Sequence, residues 1–71
     1  MTRYYLMSDD KILAESEDSK IARELYDVAF KCGFYTTGEY SIVLIKWDSC
    51  KDNTDLFNAT FNDGVLVSYS N

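Results

Sequence analysis

The run Tyr40-Ser41-Ile42-Val43-Leu44-Ile45-Lys46-Trp47 constrains this chain more than any other stretch. It is the one place where four aliphatic residues adjoin, rich in β-branched side chains and with an aromatic at each end. A short apolar run of that kind reads as a strand buried on both faces. A chain of 71 residues with a single helix can cover only one of those faces. What meets the other face is the functional question the sequence poses.

That length is one domain, and a domain so small buries only about 60% of its unfolded surface. A chain that is 46% hydrophobic and 15% aromatic is too apolar to be disordered. No apolar segment approaches the ~18 residues that span a bilayer, and Met1-Thr2-Arg3-Tyr4-Tyr5 lacks the apolar core of a signal peptide. The expected location is therefore cytoplasmic, where both cysteines stay reduced. Twelve acids against seven bases give a net charge of −5. With no basic cluster, that is the wrong sign for direct nucleic-acid binding or for an anionic membrane, and the right sign for a basic protein.

The pattern along the chain predicts β-β-α-β-β-β. Residues 2–7 and 11–15 read as a hairpin around Ser8-Asp9-Asp10. A helix follows, capped by Ser16 or Asp18 and running to Lys31 or Cys32, with Gly33 in the left-handed position beyond its end. At ~100° per residue, Ile21, Leu25, Val28, Ala29 and Cys32 form its apolar stripe. Ala22 and Tyr26 flank the stripe, and Phe30 falls outside it. After the apolar strand comes a polar loop from Asp48 to Thr54, then two strands with clean alternation. A three-residue loop Asn62-Asp63-Gly64 would pair Phe61 with Val65, Ala59 with Val67 and Phe57 with Tyr69, putting every apolar side chain on one face. The fold class is α+β: a five-stranded antiparallel sheet in the order 2-1-3-4-5, with the helix on one face.

In the central strand Val43, Ile45 and Trp47 point one way, and Tyr40, Ile42, Leu44 and Lys46 the other. The pattern leaves open which set meets the helix. With Phe57, Phe61, Val65 and Val67 turned towards the helix, the uncovered face carries Tyr40, Ile42, Leu44 and Leu66, joined by Tyr4 and Leu6 or by Tyr5 and Met7. Such a patch on a small domain marks an interaction site. Tyr26 and Phe30, one helical turn apart, could form a second contact site with Phe34 and Tyr35, or Phe30 could fold against the 34–39 connection.

The candidates for chemistry are weak. Two cysteines without histidine cannot complete a zinc site in one chain. Cys32 reads as a core residue and Cys50 as a loop residue. Asp48, Asp52, Asn53 and Asp55 lack the spacing of a calcium loop. Asp9, Asp10, Glu15, Glu17 and Asp18 read as turn and cap residues, with phosphate mimicry the sharper alternative. No catalytic, cofactor or metal residue is assigned. The expected function is a non-catalytic protein-interaction module that docks a protein partner through an apolar sheet face, its acidic ends steering towards a basic surface. The alternative is a homodimer through the same face. In size, acidity and lack of chemical motifs the chain is similar in character to small phage- or plasmid-encoded inhibitors, anti-CRISPR proteins among them. That likeness transfers no site residues.

Overall fold

Two aspartate-led turns fold the ends of the chain into hairpins. Asp9 and Asp10 have φ of 47° and 68°, and Asp63 and Gly64 have φ of 51° and 78°. Positive φ at both central residues gives a tight turn the same twist as the strands it joins. The computed structural model describes residues 2–49 and 51–70. In order these form β1 (Thr2–Ser8), β2 (Lys11–Ser16), α1 (Ser19–Gly33), β3 (Glu39–Asp48), β4 (Lys51–Asn62) and β5 (Val65–Ser70). The sheet is antiparallel in the order β2-β1-β3-β4-β5, and α1 packs on one face of it. The fold is α+β, with the apolar strand β3 at the centre, as the pattern predicts.

Two expectations about β4 need correction. The polar stretch 48–54 is not a loop: β3 runs to Asp48 and β4 begins at Lys51, with Lys46 opposite Thr54. Backbone pairing with β3 carries the polar residues into the ladder, which periodicity of apolar residues cannot reveal. Nor is the β4–β5 connection a three-residue loop. Asn62 pairs with Val65 across Asp63-Gly64, and Phe61 pairs with Leu66. A bulge then takes up Val67, so that Ala59 meets Tyr69 and not Ser68. The bulge keeps Phe61, Leu66, Ala59 and Tyr69 on one face, a result that alternation alone assigns to a longer loop. The turn is anchored from outside: Gly38 N–H donates to Asp63 Oδ1 at 2.7 Å, and Asp63 N–H donates to the Gly38 carbonyl at 2.9 Å.

Asp18 caps α1, its Oδ1 accepting from the Lys20 and Ile21 amides at 2.8 and 3.3 Å. The helix meets the sheet through Ala22, Tyr26, Ala29 and Gly33, with Leu25 and Phe30 beside them. This is about a quarter turn from the expected stripe: Ile21 and Val28 are 49% and 62% exposed, and Cys32 is exposed. The small residues explain the rotation. Ala22, Ala29 and Gly33 let the helix backbone approach the sheet, while the Tyr26 and Phe30 rings fill its flank. Gly33 is the last helical residue, not a left-handed one after it, and its position is set by contact with Phe61. The core is Leu6, Ala22, Tyr26, Ala29, Ile42, Leu44, Ala59 and Phe61.

A candidate protein-docking face

The strand registers define both faces of the sheet. Leu6 lies opposite Leu44, Leu44 opposite Phe57, and Ile42 opposite Ala59. All of these join the cluster under the helix. Residues one position away point to the other side. That side carries Met7 opposite Val43, Tyr5 opposite Ile45 and Arg3 opposite Trp47. Among the described residues no helix or strand packs over it: their one element outside the sheet is α1, which sits on the core side.

The expected assignment of faces is therefore inverted. Ile42 and Leu44, expected on the uncovered side, are 1% and 2% exposed in the core. Tyr40 packs against that core, 6.2 Å from the Phe61 ring. Leu66 lies on the helix side of the edge strand, opposite Phe61. Tyr26 is buried beneath α1 at 1% exposure. Phe30 meets Phe34 edge-to-face at 5.5 Å and Phe61 at 5.3 Å, so it folds inward against the residues after the helix. The uncovered apolar face exists, but Tyr5, Met7, Val43, Ile45 and Trp47 make it up, each partly exposed.

Its surroundings are polar and acidic. On the β2 side Glu15 lies opposite Tyr5, and on the β4 side Asp55 lies opposite Ile45. Arg3 is clamped, donating to Glu15 Oε1 and Glu17 Oε1 at 2.9 Å each. Its positive charge is thus outweighed by two neighbouring carboxylates. Ser41 and Thr60 share a hydrogen bond at 3.1 Å beyond Val43, with Asn58 and Ser68 beside them. The result is an apolar centre between two acidic flanks and a hydroxyl-rich end.

The other candidates separate. Asp9 and Asp10 lie at the opposite end of β2 from Glu17 and Asp18, so these acids form no single cluster. Among the described residues no three His, Cys, Asp or Glu side chains come together as metal ligands. Cys50 lies outside the described residues, as does the side chain of Asp52. A shallow depression of about 260 Å³ is lined by Phe34, Tyr35, Thr36, Thr37, Asp63 and Gly64. Its one carboxylate, Asp63, is engaged by the Gly38 amide. No helix among the described residues is long and apolar enough to cross a membrane. Comparison with protein-family models, with curated proteins and with solved structures gives no match.

Proposed function

We propose that this protein is a non-catalytic interaction module whose open sheet face docks a basic protein surface. The observation that carries the reading is the Tyr5, Met7, Val43, Ile45 and Trp47 patch set between Glu15 and Asp55. Aromatic and methionine side chains are the types enriched at interface centres. The molecule measures 38 by 20 by 19 Å, so its sheet face has a footprint of the order of the ~800 Å² that a standard interface takes from each partner. The acidic flanks and the net charge of −5 favour a cationic partner and oppose the same face of a second copy. By covering a basic working surface such a module would act as an inhibitor of its partner.

The test is capture from a lysate of the source cells with the wild type, with Ile45→Arg on the open face, and with Val28→Arg on the exposed side of α1. The reading expects a basic protein retained by the wild type and by Val28→Arg, lost with Ile45→Arg, and bound more slowly as salt rises. It is overturned if the retained partner is acidic or binds all three proteins equally. It is also overturned if Ile45→Arg acts only by halving the solution mass of a wild-type dimer, which would make the face a self-interface.

A further inference from the structure

The connection after α1 is tied to the β4–β5 turn by the two hydrogen bonds between Gly38 and Asp63. The depression of about 260 Å³ is lined by both segments: Phe34, Tyr35, Thr36 and Thr37 from one, Asp63 and Gly64 from the other. Ligand pockets run from ~300 to ~1,000 Å³, so this one has room for a single side-chain-sized group. Its chemistry is that of a cation site. Asp63 is the one charged side chain in its wall, and it forms no ion pair among the described residues. The Gly38 amide holds Oδ1 at 2.7 Å, which orients the carboxylate and leaves Oδ2 without a hydrogen bond among the described residues. Phe34 is the C-cap of α1, so the depression also lies at the negative end of the helix dipole. The Phe34 carbonyl adjoins Gly64, where a Cβ would come within 2.7 Å of its oxygen. Lys31, the base in the last turn of the helix, is not part of the wall. Tyr35 completes it with a ring that is 89% exposed.

We propose that this depression takes the guanidinium group of an arginine side chain presented by another protein. The planar group stacks on the Tyr35 ring and donates to Asp63 Oδ2. Those two contacts suit a guanidinium better than an ammonium, which is a compact point charge. One carboxylate gives a divalent metal ion too few ligands. A shallow depression covers too little of a free small molecule to hold it, whereas a side chain delivered on a protein has the surrounding surface to help. The net charge of −5 favours the approach of such a cationic group. The site shares no residue with the open face of Tyr5, Met7, Val43, Ile45 and Trp47, so it does not depend on what docks there.

The test is NMR mapping of amide shifts in the isotope-labelled chain, titrated at fixed ionic strength with arginine blocked at both ends as N-acetyl-arginine methylamide. The same derivative of citrulline, whose side chain has the same shape and no charge, is the comparison and needs no substitution in the protein. The expected result is saturable shifts centred on Tyr35, Thr36, Thr37 and Gly64 with blocked arginine in the millimolar range, and none with blocked citrulline. Asp63→Asn keeps an acceptor for the Gly38 amide, and asparagine before glycine suits the same turn. It should bind blocked arginine roughly tenfold more weakly, with the Gly38 amide shift retained. Tyr35→Ala, at an exposed position, should weaken binding roughly threefold. Ile45→Arg should bind as the wild type does. The proposal is overturned if no saturable shift appears, if citrulline gives the same shifts, or if Asp63→Asn binds as tightly as the wild type. Shifts centred on Tyr5, Val43 and Ile45 would place the guanidinium on the open face and overturn it as well.

Discussion

Gly33 ends α1 directly against the face of Phe61. A Cβ at residue 33 would lie 2.8 Å from Phe61 Cγ and closer still to Cδ1 and Cε1. Phe61 is itself fully buried, with Phe34 and Phe30 edge-on to it at 4.9 and 5.3 Å. The ring cannot retreat, so hydrogen is the only side chain that fits. Gly33→Ala is expected to lose roughly 1–2 kcal/mol by overpacking, because the helix propensity gained is small at a final residue. Urea denaturation of the variant, of Phe61→Leu and of the pair checks this. The double variant should be more stable than the sum of the two losses implies, as the smaller side chain makes room.

Leu44 and Ile45 are neighbours on opposite faces, and substitution distinguishes them. Leu44→Ala is expected to cost about 2–5 kcal/mol, and Leu44→Glu to unfold the domain by burying a charge with no partner among the core residues. Ile45→Ala should cost no more than about 1 kcal/mol, since its face is open. Thermal melts followed by circular dichroism decide the matter; equal losses at the two positions would contradict the face assignment.

Tyr26 holds a buried hydroxyl without a hydrogen-bond partner among the described residues. Such a group carries a desolvation cost of about 1–3 kcal/mol. Tyr26→Phe is therefore expected to be neutral or stabilising. Desolvation, reinforced by Tyr69, pushes the phenol up from 10.0 to about 12. The folded state thus keeps a proton that the unfolded state releases above pH 10. The contribution of this group is full below pH 10 and falls by about 1.4 kcal/mol per pH unit until about pH 12. Tyr26→Phe should flatten that alkaline decline, measured as denaturation midpoints between pH 9 and 12. Tyr40 is raised in the same direction, by desolvation and then by Cys32.

Asp18 accepts two amide hydrogen bonds at the start of α1, and Ser16 Oγ accepts from the Asp18 amide at 3.0 Å. Asp18→Ala should cost about 1 kcal/mol, and Asp18→Asn much less, because asparagine caps nearly as well. Ser16→Ala should matter less, since it supports the cap without being it. Chemical denaturation of the three variants orders them.

The first hairpin and the helix cap, expected at Ser16 or Asp18, are legible in local patterns, since each rests on residues within a few positions of one another. The sheet order rests on β1 meeting β3 from far along the chain, Leu6 opposite Leu44, and follows from placing the apolar strand in the middle. The helix stripe is not legible in this way. Ile21 and Val28 are larger and more apolar than Ala22 and Gly33, so hydropathy favoured the wrong face. The signal that could have found the right one is the small-residue spacing of Ala22, Ala29 and Gly33 together with Tyr26. The β4–β5 register was missed because a bulge at Val67 leaves no mark in alternation.

What the sequence by itself determined is an antiparallel sheet whose apolar central strand is too hydrophobic for one helix to cover. Which side of that strand the helix takes was decided only by tertiary structure. Alternation is unchanged when a strand is turned over, so β3 alone cannot distinguish Ile42 and Leu44 from Val43 and Ile45. The choice falls to side chains distant in sequence: Gly33 and the helix alanines admit Phe61 and Ala59 at close range, and the strand registers carry that decision to Leu44 and Leu6. The open face of Tyr5, Val43, Ile45 and Trp47 is what remains.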